Sequence, residues 1–212
     1  MIKNFYFDKI SIIVIWTFHL TGVIGIIFID REWFISATPL NLIISLVLLL
    51  FNSSNLNKTF LIGCISFIIG IFVEILGVNF GLVFGNYVYG SVLGPKLFDV
   101  PILIGYNWAL LLILTASIAQ KVFKTNLNRV SFGVILMLIL DLIMEPVAPI
   151  LGYWEFSSGS APLQNYIGWI FVSFPLHLLY HKLNIEKNNN FPNHLYSAQI
   201  LFFVLLLLIF NQ

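Results

Sequence analysis

Seven apolar stretches, at 10–29, 37–51, 60–80, 100–119, 130–150, 166–183 and 195–210, leave this chain little choice of architecture. Backbone in hydrocarbon must satisfy its own N–H and C=O groups, and a run of about 20 apolar residues does so as a helix that just crosses a bilayer. The second stretch is short and starts as near as Trp33, and the fourth and sixth open on Pro or Gly. With 59% hydrophobic residues among 212, the expected fold class is all-α: a polytopic membrane helix bundle of about seven transmembrane helices, one domain over 1–212. Lys3 and Lys9 precede a first stretch longer than a signal-peptide core and without a small-residue cleavage site, so it reads as a retained helix.

Basic residues orient the bundle. Lys3, Lys9, Lys58, Lys121, Lys124, Arg129, Lys182 and Lys187 fall on one side of a seven-span chain, against Arg31 and Lys96 on the other. The positive-inside bias puts the N-terminus in the cytoplasm and the C-terminus outside, in the cell's inner (cytoplasmic) membrane. A net charge of +1 argues against nucleic acid as a partner. Cys64 stands alone, which excludes an internal disulfide and a cysteine zinc site. Four histidines cannot furnish the clusters of membrane di-iron hydroxylases and desaturases, and no glycine-rich dinucleotide motif occurs. The expected chemistry is acid–base, with no metal and no cofactor.

Where the acids fall then becomes the main functional signal. Asp30, Glu32, Asp99 and Glu155 lie in or beside outer connections, whereas Glu74, Asp141 and Glu145 lie inside spans. A charge at a helix centre in lipid costs about 2.5 kcal/mol or more. All three lie toward the outer ends of their spans, which one shared polar cavity explains; the plainer reading is three separate acids, each neutralised locally. Asp141 and Glu145 are four apart on one helix face, where two ionised carboxyls repel and one keeps its proton at neutral pH. That pairing suits a general acid beside a carboxylate base, or alternatively a hydrogen-bonded pair joining helices. Pro146 and Pro149 predict a kink there.

Two connections carry the remaining signals. After Glu74 come Gly77, Asn79, Gly81, Phe84-Gly85, Asn86, Tyr87, Tyr89 and Gly94-Pro95. Glycines four apart suit close helix packing; the asparagines and tyrosines predict a polar, aromatic lid. The segment from Gly152-Tyr153-Trp154 to Asn165 and Trp169 is aromatic and free of lysine and arginine. It reads either as an interfacial aromatic belt or as a pocket whose π faces steady a cation. His19, at mid-membrane, either relays a proton or satisfies a carboxyl. His177 and His181 have metal-pair spacing but lie at the cytoplasmic end of the sixth span, where interface histidines are the better reading.

These two segments resemble the integral-membrane carotenoid biosynthesis protein family, which includes carotenoid 1,2-hydratases. One block runs from Glu74 through Gly77, Gly81, Phe84-Gly85, Tyr87, Tyr89 and Gly94-Pro95 to Pro101. The other runs from Asp141 through Glu145-Pro146, Gly152-Tyr153-Trp154, Pro162-Leu163 and Asn165 to Gly168-Trp169. Together they cover about half the chain. It departs from the family's pattern at Glu145 and Phe156, where Asp and Trp are expected, and Gly105-Tyr106-Asn107-Trp108 is unusual.

The resemblance implies cofactor-independent hydration of the terminal double bond of an acyclic carotenoid end group, lycopene- or gamma-carotene-like. Glu74, Asp141 and Glu145 would be catalytic. Asp141 would act as general acid, with Glu145 sharing its proton, and Glu74 as the water-orienting base; Asp141 and Glu74 could exchange roles. Asn79, Tyr87, Tyr89, Trp108, Trp154, Asn165 and Trp169 would bind substrate. The implied partners are a carotenoid in the bilayer, lipid and other carotenoid-pathway enzymes. A cyclase using the same protonation, a proton-coupled transporter and a non-catalytic pigment-binding protein are the competing readings.

Overall fold

The computed structural model describes residues 2–185 and 189–210, without the side chains of 2–5; Lys187 lies outside the described residues, and Lys3 is described only as helix backbone. The helices are α1 (Ile2–Phe28), α2 (Arg31–Ser36), α3 (Thr38–Phe51), α4 (Leu56–Phe80), α5 (Ile102–Val122), α6 (Asn126–Met144), α7 (Leu163–Lys182) and α8 (Phe191–Phe210). The connections carry short strands β1 (Tyr87–Tyr89), β2 (Lys96–Leu97), β3 (Val100–Pro101) and β4 (Trp154–Phe156). Among the described residues, six helical segments are long and apolar enough to cross a membrane, α2 and α3 forming one of them (Arg31–Phe51). The molecule is therefore an all-α, multi-pass membrane bundle. The helix expected at 166–183 is present as α7, but Gln164, Asn165, Ser173, His177 and His181 make it more polar than those six.

Local chemistry fixes most of the helix ends. Asp30 caps α2 by accepting from Trp33 N–H at 3.0 Å, and Asn55 caps α4 by accepting from Lys58 N–H at 3.1 Å. Gly81 ends α4 in the left-handed conformation, φ 67°, its N–H bonded to the Gly77 carbonyl. The expected kink at Pro146 is instead a stop. α6 ends at Met144, and 145–150 run as successive turns. Pro146 has no N–H to continue the ladder and its ring collides with the preceding turn.

α5 is the axis of the bundle. Residues Leu103–Gly105 and Trp108–Ala119 are buried, because α3, α4, α6, α7 and α8 all pack around it. The connections gather at two ends. At one, Lys58 Nζ donates to the Leu183 carbonyl at 2.9 Å and Lys121 Nζ to the Asn189 carbonyl. At the other, Arg31 Nη2 donates to the Ile150 carbonyl at 2.7 Å, and β1 pairs with β4 in an antiparallel ribbon joining the 81–101 and 145–162 connections. The ribbon end is the end that closes the cavity described next.

Candidate active site

Helical and strand periodicities converge on one small chamber. The buried stripe of α4 runs Ile62, Ser66, Gly70, Glu74, Gly77, so Glu74 points into the bundle. The stripe of α6 runs Met137, Leu140, Asp141, Met144 and points Asp141 the same way. In β1 the two-residue period turns Tyr87 and Tyr89 inward and Val88 outward. The register pairs Tyr87 with Phe156 and Tyr89 with Trp154, so four rings lie along one ribbon. Together with Trp108 of α5 and Asn165 and Trp169 of α7, these side chains enclose a cavity of about 400 Å³, including its mouth.

Glu74 is 5% exposed and receives three hydrogen bonds. Its Oε2 accepts from the Tyr87 hydroxyl and from the Tyr89 hydroxyl at 2.7 Å, and its Oε1 from Trp108 Nε1 at 2.9 Å. Gly77 makes this possible: a Cβ there would stand 2.6 Å from the Tyr87 oxygen. Burial, and then the Glu74 carboxyl beside them, hold both phenols well above their ordinary ionisation range, so they stay donors. Asp141, 1% exposed, accepts at Oδ2 from Asn165 Nδ2 at 2.9 Å. Glu145, at the end of α6, accepts at Oε2 from Trp154 Nε1 at 3.3 Å. Among the described residues no lysine, arginine or histidine lines the cavity, and the groups that donate to the three carboxyls are neutral N–H and O–H dipoles.

Aromatic faces form the rest of the wall. Trp108 and Trp169 stack with centroids 4.4 Å apart and planes 16° from parallel. Phe84 tilts against both at 6.1 Å, and Tyr87 lies 5.2 Å from Phe156. Negative ring faces beside carboxyls in a largely buried cavity form a place that stabilises positive charge.

The structure thus brings Glu74, Asp141, Glu145, Tyr87, Tyr89, Trp108, Trp154, Asn165 and Trp169 together in one cavity. Asn79 is elsewhere: it is exposed, and its amide donates to the Ile75 and Phe98 carbonyls at 3.1 and 3.0 Å, clamping the loop after α4. Asn86 is likewise exposed. Gly77, Gly81 and Gly85 do not form one packing face, since Gly81 and Gly85 lie beyond α4 at positive φ. His177 and His181 are buried within the bundle. His177 Nε2 meets Thr115 Oγ1 at 2.9 Å, its Nδ1 meets the Ser173 carbonyl, and its ring packs on Gly133, where a side chain would collide. Among the described residues, no three potential ligands cluster as a metal site would need.

Phe84, Ile104, Asn107, Met144 and Phe156 also line the cavity, beyond the residues expected. Asn107 carried a usable signal, as an amide beside Trp108 in an otherwise apolar span. Phe84 and Phe156 stand in the two aromatic connections; Ile104 and Met144 carried no signal, because an apolar residue facing a cavity and one facing lipid look alike in sequence.

A family model described as carotenoid biosynthesis protein matches residues 36–212, which include every residue lining the cavity. A bisanhydrobacterioruberin hydratase from Haloarcula japonica is 31% identical over 112 residues, 46% of this chain and 36% of that protein. The chain therefore matches about a third of that relative's length. No solved structure matches.

Proposed function

This chain belongs to the carotenoid biosynthesis protein family, and on that premise we propose that it hydrates the terminal double bond of an acyclic carotenoid end group. The observation that carries the reading is the unequal solvation of Glu74 and Asp141 inside one aromatic cavity. Three donors suit Glu74 to the carboxylate form, which can accept a proton from water. Asp141 has one donor from Asn165 and is the better seat for a proton to give.

Asp141 transfers its proton to the less substituted carbon of the terminal alkene. The π pair forms the new C–H bond and leaves a tertiary cation on the neighbouring carbon. The faces of Trp108, Trp169, Tyr87 and Trp154 shield that cation. Water, oriented by Glu74, forms the C–O bond and gives up one proton to the Glu74 carboxylate. A proton returned to Asp141, shared through Glu145, resets the site; the sum is alkene plus water to tertiary alcohol. The carotenoid enters from the bilayer, and the resident groups supply all the chemistry.

Expression in cells that accumulate lycopene, followed by chromatography and mass spectrometry of the pigments, tests this. The expected product is heavier than lycopene by one water, and its formation is lost in Asp141→Asn and in Glu74→Gln while the protein stays in the membrane. An isomeric product with a ring means the cation is captured by an internal double bond, which is cyclase chemistry. A product formed by the double amide variant would overturn the assignment of the acids.

A further inference from the structure

A second cavity, of about 620 Å³ including its mouth, lies against the first and shares Ile104, Asn107, Met144 and Trp154 with it. It begins among the connections at the ribbon end, where the Thr38 hydroxyl meets the Tyr153 hydroxyl at 2.8 Å, and reaches in to His19 of α1 and Gln199 of α8. Its polar groups are left over. Gln199 is 6% exposed, and among the described residues its Oε1 has no donor; Asn41 Oδ1 has none either. His19 Nδ1 is taken by the Ile15 carbonyl at 2.8 Å, which leaves Nε2 as an acceptor toward the cavity. The Asn107 amide, on the shared wall, has no hydrogen-bond partner among the described residues.

Buried acceptors without donors call for a ligand that brings O–H groups. Two sources offer them, water and a hydroxyl carried by the carotenoid. The position favours water: the cavity starts at an end of the bundle, and it shares Asn107 with the cavity that holds Glu74 and Asp141. We propose that this chamber, lined by Asn41, Gln199 and His19, stores the water of the reaction and that Asn107 passes it to the carboxyl cavity. The proposal rests on the hydration reading. It explains how a cavity walled by aromatic rings captures a cation with water before the cation loses its proton and reverts to alkene.

The test uses purified full-length protein with a hydrocarbon carotenoid in deuterated water, comparing wild type with Asn41→Leu/Gln199→Leu. Neither residue lines the carboxyl cavity. In wild type the alcohol forms. In the double variant the alcohol falls at least tenfold, while deuterium accumulates at the terminal alkene carbon of recovered substrate. Protonation then persists and capture fails, a signature that general loss of structure does not give. Unchanged alcohol in the double variant overturns the inference. So does equal loss of alcohol and deuterium exchange, both there and in the milder Gln199→Met. An effect confined to the KM for a hydroxylated carotenoid overturns it in favour of a hydroxyl subsite. A wild type that incorporates deuterium yet yields an isomer, or yields nothing, fails the hydration reading itself.

Discussion

Two carboxyls of one cavity have different hydrogen-bonding neighbours. Glu74 is met by Tyr87, Tyr89 and Trp108, whereas Asp141 has Asn165. General acid–base groups typically contribute about 100- to 10,000-fold, so Asp141→Asn and Glu74→Gln are each expected to lower alcohol formation by about that much, read as product per membrane-inserted protein. Tyr87→Phe and Tyr89→Phe each remove one of three donors and keep the ring. Hydrogen bonds to a charged group are worth about 1.5–3 kcal/mol, so each should cost roughly ten- to hundredfold in kcat, with an unchanged product. Because both phenols are held above their ordinary range, neither should ionise below about pH 10. A phenolate absorbance titration of wild type and the double Phe variant should therefore coincide up to that pH.

Elements set these contacts through spacing and close approach. Gly77→Ala would put a methyl group 2.6 Å from the Tyr87 oxygen and push that hydroxyl off Glu74. Activity should fall as far as in Tyr87→Phe, with membrane insertion unchanged. Tyr153 ties the connection after α6 to Thr38 of α3, and burial pushes its phenol up to about 12. An acid whose folded pKa is raised above the usual value of about 10 stabilises the fold fully below pH 10, and that contribution is lost as pH rises toward 12. Thermal unfolding should thus show Tm falling over pH 10–12, less steeply in Tyr153→Phe.

The same scale shows what a sequence can and cannot carry. Spans were legible because hydropathy measures the transfer that makes them, and the acids were legible because their burial is costly. Asn79 was misplaced because composition marks a polar connection without saying which way each residue faces. The ribbon register that turns Tyr87 and Tyr89 inward is set by pairing with 154–156, some 65 residues away. At Pro146 the local chemistry, a missing N–H and a bulky ring, is the same for a kink and for a stop. What decides between them is the packing of 145–150.

At the scale of the whole molecule, the connections sort onto two ends as an alternating chain requires, with Lys58, Lys121 and Arg129 at the end opposite the ribbon. Positive-inside bias predicts that this end faces the cytoplasm. Reporter fusions should accordingly read the N-terminus as cytoplasmic and the 81–101 connection as external; the reverse would put the cavity at the cytoplasmic side. Either way, the site is assembled from α4, α5, α6, α7 and the ribbon. No single span contains it, which is why its membership was only partly visible before the chain was folded.

Under the proposed hydration, water ends up in the carotenoid, and heavy-oxygen water tests this most directly. Purified protein incubated with an acyclic carotenoid in that solvent should give a tertiary alcohol with one heavy oxygen per new hydroxyl, and Glu74→Gln should give none. A product isomeric with the substrate and free of label would contradict it, and labelled alcohol formed by Glu74→Gln and Asp141→Asn as readily as by wild type would overturn the roles of those two acids.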